Sequence, residues 1–498
     1  MRDEVYVRTV LEPSFAFARD LLFVPMLEAN LAHVLSLDHV RLLPPGHTEA
    51  LARVCTDMMR SPASWKPERY DPAFEDLFFM MEDRVMAEVG ADAASNMHLA
   101  MSRNDFEAAL FRMAGRDLIA SVADALNRLR ATLLRVAECE MHTVMLAHTH
   151  NQQAQPTTVG HYILAVEGGL ARDADRLDGA WGRTNMSPLG AAALSGTGYG
   201  LDRYFEASLL GFEGIVENTY DAVSAADWAF EIAAIVASAA LVLGRFVTDL
   251  MFWCSNEVST VQLDVSMIQI SSIMPQKRNP VAIEHARAKL GRAVSALGAV
   301  ATTLHNIPFG DVNDAAEHVQ RQVHAGAAEL LSGFDLLDRL VATATFNRHT
   351  LAMRAESSYA TSTELADTLV RVERIPFRTA HRVVSALVDI LSSAGRNWIS
   401  LSWDELDAQF LAVVGRGTVL TQDELQSALD PRQFVAVRIT PGGPAPESMK
   451  DSLERRSLSL EKAREIWSAR EELMNDYMRE LDRRGSLAAG ISAQGDGR

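Results

Sequence analysis

Apolar residues recur at three- and four-residue spacing over long stretches of this chain, while strand-like patterns are sparse. Phe106, Leu110 and Met113 lead into Leu126, Leu129, Leu133 and Val136, so 105–147 reads as one long helix in which only Gly115 breaks the pattern. From 225 to 254 the chain is apolar almost all round. A helix with no polar face must be covered on every side, so several long helices of this kind predict an all-α bundle, either shared between subunits or closed within one large monomer. Breaks fall at 44–46, 62–72, 155–156, 186–200, 271–280, 308–314 and 441–446, where prolines, glycines and small polar residues mark connecting loops. No repeat of fixed period is present, and the stretch from about 485 to 498 has the small, polar composition of disorder.

At 498 residues the chain is too long for one compact core and calls for two or three domains or a long helical body. Lys+Arg of 47 against Asp+Glu of 65 gives 47 − 65 = −18, which argues against nucleic acid or an anionic membrane as the main partner. Cys55, Cys139 and Cys254 are far apart and fit reduced thiols, not disulfides or a structural zinc site. Residues 1–6 carry Arg2, Asp3 and Glu4 with no long apolar stretch behind them, so no secretory signal is read and a cytoplasmic protein is expected. The most membrane-like run, 232–244, is closed by Glu231 and Arg245, short of the roughly 20 residues of a spanning helix. The glycines at 196, 198 and 200 lack both the spacing and the preceding strand of a dinucleotide fingerprint.

The chemistry concentrates in the loop 271–280. Ser271, Ser272, Met274, Lys277 and Asn279 place hydroxyls, a cation and an amide donor on a segment that is a poor helix or strand former, which leaves backbone N–H groups free to face an anion. Taken singly these residues are ordinary loop residues. As an ordered string they resemble the signature loop of the fumarase/aspartase superfamily of lyases, G-S-S-x-M-P-x-K-x-N, with Ile270 in place of the glycine. That exchange is expected to stiffen the loop's leading edge.

Upstream, Thr149-His150-Asn151-Gln152 with Ala154, Gln155 and Pro156 is similar to the T-H-x-Q-x-A-Q-P element of argininosuccinate lyases and is read as closing the 105–147 helix. Ser102-Arg103-Asn104-Asp105 is generically a helix cap, and also matches the S-R-N-D element that in those enzymes holds a carboxylate of the fumarate moiety. Glu284, placed at the start of a helix 284–297, falls where the family carries the glutamate paired with the active-site histidine. A metal site built from His142, His148 and His150 is disfavoured by spacing. The resemblance runs along nearly the whole chain, through Asp202-Arg203, Leu210-Gly211-Phe212 and Glu217-Asn218 to Asp367-Thr368-Leu369 and Pro376-Phe377-Arg378.

The resemblance to the argininosuccinate lyase-like branch implies a three-domain all-α fumarase/aspartase fold: an N-terminal helical domain 1–104, a central long-helix bundle 105–357, a C-terminal helical domain 358–485 and a disordered tail 486–498. It further implies a homotetramer with each active site drawn from three subunits, and a small-molecule substrate that releases fumarate and an amine without metal or cofactor. Ser271 takes the role of base, Lys277, Asn279 and the loop amides that of oxyanion stabilisers, and His150 with Glu284 that of an acid or positioning pair. Ser102, Arg103, Asn104, Thr149, Gln152, Ser272 and Met274 are assigned to substrate binding.

One segment departs from the family. Where argininosuccinate lyases carry L-P-x-x-Y-N-x-D-L-Q-E-D-K, this chain has 307–319 with Asp311, Ala316 and Val319 in place of the Tyr, Gln and Lys that help to hold the arginine portion. The fumarate side is kept and the leaving-group side is rewritten. An N-substituted aspartate with another amine is therefore expected, as in ethylenediamine disuccinate lyases, with argininosuccinate itself as runner-up and a non-catalytic role, like that of lens crystallins of this family, as the third reading. Asp311, Asp314 and Glu317 suit a leaving group with an extra cationic amine, or else form a solvated acidic loop.

Overall fold

The computed structural model describes residues 2–491. A mostly helical N-terminal region opens with the continuous helix Glu4–His39, followed by His47–Arg60 and Leu77–Val89. Five long helices then build the body: α1 (Arg103–Cys139), α2 (Val159–Thr184), α3 (Asp227–Cys254), α4 (Val281–Leu304) and α5 (Glu317–Thr343). After the smaller helices from Arg348–Ser357 to Pro431–Ala436, α6 (Pro446–Ala488) returns to pack along α1 and His47–Arg60. The main core runs from Phe15 to Ala489, while residues 365–429 form a cluster of their own around Leu369, Leu387, Trp398 and Phe410.

Strand-like patterns are sparse in the sequence, yet the chain inserts a hairpin where a continuous helix is expected. α1 ends at Cys139 instead of 147, and β1 (Val144–Thr149) pairs antiparallel with β2 (Gln152–Thr158). The β-branched Thr143, Val144, Thr149, Thr157 and Thr158 suit a pleated ribbon better than a helix. The helix after the signature loop is likewise longer than the expected 284–297, spanning Val281–Leu304.

Two further expectations are corrected. α3 is 28 residues long and, like Glu4–His39, apolar enough to cross a membrane, so the short estimate from 232–244 understated it. Its packing against α2, α4 and α5 makes it a bundle helix, although Phe230, Leu241 and Phe252 remain exposed on it. At the other end, order extends past 485. Gly485 is buried in the last turns of α6, and the chain is described to Ile491; the rest of the expected tail, 492–498, lies outside the described residues.

The hairpin is anchored by a close backbone approach at Gly160, where an added Cβ would meet Ala137 O at 2.3 Å and Met141 Cα at 2.7 Å. Alanine ordinarily favours a helix over glycine by about 1 kcal/mol, but here the clash is with backbone. Gly160→Ala is expected to destabilise the protein by roughly 2–4 kcal/mol, read as a lower midpoint in denaturant unfolding; an unchanged midpoint overturns the packing argument.

Candidate functional site

The signature loop is a short β-ribbon. β3 (Gln269–Ile270) pairs antiparallel with β4 (Arg278–Asn279), so 271–277 is its tip. Ile270 sits in extended backbone and is not among the positive-φ residues, so the glycine of the family motif is not required here for its backbone freedom. At the tip, Ser271 Oγ accepts from the N–H groups of Ile273 and Met274 at 3.3 and 3.1 Å. The Lys277 N–H closes the turn on Met274 O at 3.0 Å. Ser272, Met274 and Lys277 are exposed, and Asn279 is held in register opposite Gln269.

His150 occupies the two-residue turn of the β1–β2 hairpin. Its φ of 52° and that of Asn151, 57°, put both central residues in the left-handed region, as in the mirror-image turns that join twisted strands. Asn tolerates this conformation, and Thr149 and Gln152 flank it as the terminal pair of the ladder. The imidazole is thereby displayed to solvent instead of capping a helix. Among the described residues no hydrogen bond or ion pair joins His150 to Glu284, which is exposed in the first turn of α4.

The Ser102–Asp105 segment is the cap its composition suggests. Ser102 Oγ accepts from Asn104 N, and Asp105 reaches back to Ser102 N at 2.9 Å. Buried Asp105 also accepts from Gly190 N and Ala192 N at 2.9 and 2.8 Å, tying α1 to the 188–192 loop. Burial nevertheless pushes its pKa up to about 6. Arg103 points to Asp76 at 2.6 Å and Glu75 at 3.5 Å and lies over the Phe79 ring, while Asn104 Nδ2 donates to Ala193 O at 3.2 Å.

Asn104 faces a narrow cleft that Asp311 also lines, so two of the expected binding residues are brought together there. Val319 is in the core and Ala316 precedes α5. Glu317 is engaged by Arg321, so of the three acids expected to receive a cationic amine it is already paired. Asp314 is exposed and outside the cleft. Sequence reasoning missed Glu107, which lines this cleft one turn beyond Arg103. Its only advance signal was an acid among apolar residues near the start of α1.

Burial, then the nearby Asp311, Asp76 and Glu317, raises Glu107 from 4.5 to about 7. A carboxyl that binds its proton more tightly when folded loses stability as pH rises from about 4.5 through about 7, so the cost of ionising it is fully present only above that window. Glu107→Gln is therefore expected to raise Tm relative to the unmodified chain at pH 8 but not at pH 5. Thermal melts at the two pH values check this, and an equal offset at both overturns it.

The two halves of the expected site do not meet within one chain. α1 spans 37 residues, roughly 55 Å at 1.5 Å per residue, with Ser102–Asn104 at its start and the His150 hairpin beyond its end. The signature loop precedes α4 at the hairpin end of the bundle, whereas Asp311 lies between α4 and α5 at the other.

Comparison with known proteins shows the family and the fold. The family model described as Lyase matches residues 74–295, and that described as Argininosuccinate lyase C-terminal matches 359–436. An argininosuccinate lyase of Methanospirillum hungatei is 38% identical over 442 residues, covering 88% of this chain and 87% of that protein. Argininosuccinate lyase 2 of Agrobacterium fabrum is 34% identical over 90% of this chain and 89% of its own length. Among solved structures, EDDS lyase in complex with formate superposes with a TM-score of 0.86 at 28% identity, over 99% of this chain and 100% of that one. A class II fumarase from Schistosoma mansoni shares the fold, with a TM-score of 0.67 at 16% identity over 86% of this chain and 92% of the fumarase.

Proposed function

Because the chain belongs to the argininosuccinate lyase-like branch of the fumarase/aspartase superfamily, we propose that it is a carbon–nitrogen lyase that eliminates an amine from an N-substituted aspartate to give fumarate. The observation that carries this reading is the pair of backbone N–H groups already aimed at Ser271 Oγ. A serine hydroxyl is a weak base, and donors directed at its oxygen favour the alkoxide that must take the proton from the substrate's β carbon. Lys277, Asn279 and the remaining loop amides then stabilise the dianionic aci-carboxylate, a function worth about 3–4 kcal/mol for each well-placed donor. His150 serves at the departing nitrogen as acid or as positioning residue, and Glu284, which does not touch it within one chain, supports it only if it comes from a neighbouring subunit. Thr149, Gln152, Ser272 and Met274 line the reacting end, and Ser102, Arg103 and Asn104 receive a substrate carboxylate, with Arg103 exchanging its surface acids for the ligand.

The separation of these pieces along the bundle supports a homotetramer with shared sites. The exposed apolar residues of α3, Phe230, Leu241 and Phe252, supply a face for neighbouring subunits to cover. For the substrate we favour an aminopolycarboxylate of the ethylenediamine disuccinate type, since Asp311, Ala316 and Val319 remove the Tyr, Gln and Lys associated with the arginine portion. Argininosuccinate is the second reading, favoured by the names of the relatives.

Incubation of the protein with fumarate and arginine, ethylenediamine or ammonia, followed by mass spectrometry, tests both readings. An ethylenediamine adduct is the expected product. An adduct with arginine alone selects argininosuccinate, and no adduct with any amine removes the lyase reading.

A further inference from the structure

Three buried polar groups lie beneath the Ser102–Asn104 segment, and none of them is exposed to meet a ligand itself. Asp105 and Glu206 are fully buried and His33 is 1% exposed. They come from three elements, the start of α1, the helix Arg203–Leu209 and the helix Glu4–His39. His33 Nδ1 lies 2.6 Å from Glu206 Oε1, and its Nε2 lies 2.9 Å from Leu99 O. A carboxylate and a carbonyl both accept, so the imidazole donates from both nitrogens and carries charge. Burial works against that charge, but Glu206 and the Leu99 carbonyl hold the pKa above the usual histidine value.

Each group fixes a piece of backbone that would not hold unaided. Leu99 precedes Ala100, whose φ is 67°, and the carbonyl held by His33 fixes the turn that leads into Ser102. On the other side, the two loop N–H groups that Asp105 accepts belong to Gly190 and Ala192, at φ 80° and 49°. An alanine in the left-handed region persists only where its surroundings over-determine it. Arg203, one turn before Glu206, closes the same loop by donating from Nε to Leu189 O at 2.7 Å. Glu206 Oε2 has no hydrogen-bond partner among the described residues. A buried ion pair with an unsatisfied oxygen is a poor source of stability, so its place here points to positioning.

The fixed backbone in turn aims the ligand-binding groups. Ala193 O, next to Ala192, takes one N–H of Asn104 Nδ2 at 3.2 Å, which leaves the second N–H to donate. Ser102 Oγ accepts from Asn104 N at 3.3 Å and so keeps its own proton for a carboxylate oxygen. We propose that His33, Glu206 and Asp105 are positioning residues for the substrate carboxylate, holding Ser102 and Asn104 as donors without touching the ligand. The inference rests on the lyase reading above. A misplacement of about 1 Å in such donors is enough to weaken the site.

The test measures steady-state adduct formation from fumarate and the amine that the unmodified chain accepts, with fumarate binding followed by calorimetry. Asp105→Asn turns one acceptor oxygen into a donor, so that either Ser102 N or the loop amides lose their partner. His33→Gln removes the double donor. Each is expected to raise KM for fumarate by at least about tenfold, the scale of one lost hydrogen bond, while kcat and KM for the amine stay within about threefold. Adding Ala192→Gly to Asp105→Asn is expected to restore part of the fumarate affinity, because glycine takes the left-handed conformation at no steric cost. A fall in kcat with KM unchanged, which a smaller folded fraction gives, overturns the positioning role. Equal rises in both KM values, or no recovery with Ala192→Gly, overturn it as well. Where Asp105→Asn fails to fold, Ala192→Val on the partly exposed loop strains the same backbone and is expected to raise KM for fumarate; an unchanged KM there overturns the proposal. If the unmodified chain binds fumarate but forms no adduct, the lyase reading falls and the calorimetric Kd decides the positioning role by the same comparison. A chain that binds no fumarate removes both.

Discussion

Ser271→Ala lowers the rate of amine elimination by at least about 10³-fold while the protein stays folded, because it removes the only atom proposed to take the β proton. Ser271 lies at the tip of the β3–β4 ribbon, where its hydroxyl accepts from Ile273 and Met274 and packs into no core. The variant therefore loses two hydrogen bonds at a partly exposed turn, a change too small to unfold a chain with this much buried apolar surface. Single-turnover assays with the substrate identified by the adduct test, together with unfolding curves, separate chemistry from folding. Elimination at more than a tenth of the original rate overturns the role of Ser271, and loss of the folded state shows that the hydroxyl is structural. Lys277→Met should follow in the same direction with a smaller drop, since the loop amides continue to face the developing oxyanion.

The helical body was legible because its cause is local and repeated. α3 was expected over 225–254 and is observed over Asp227–Cys254, since nearly every position obeys one requirement, burial. The β1–β2 hairpin was not legible as such. Pro156 and the threonines were present, but the strong helical periodicity before them carried the reading eight residues too far, from Cys139 to 147. The ordered string of the signature loop identified the chemistry, yet the bond from Ser271 to its own turn depends on backbone directions that residue types do not state. Glu107 was missed for a related reason. It shares a cleft with Asp311 only once α5 packs on α1, and it belongs to none of the motifs that drew attention to the site.

Distance along the bundle makes the second large effect a matter of assembly. Asn104 stands at the start of α1 with Asp311, and Ser271 stands at the opposite end, so a chain with one piece damaged still carries the other intact. Asn104→Ala and Ser271→Ala are each expected to be nearly inactive alone. Each active site of the proposed tetramer takes these pieces from different subunits, so co-assembly of the two variants in equal amounts should make about a quarter of the sites wholly intact and restore about a quarter of the activity. Sites built within one chain would recover nothing, because every chain would carry one of the two defects. The measurement is the activity of the variants unfolded together and refolded, compared with each refolded alone and with the mass of the assembly in solution. Recovery near a quarter identifies shared sites and a defect confined to one piece in each variant. A tetramer that forms without recovery means that Asn104 and Ser271 do not combine across subunits in one site, and a monomer that retains activity removes the shared-site proposal altogether.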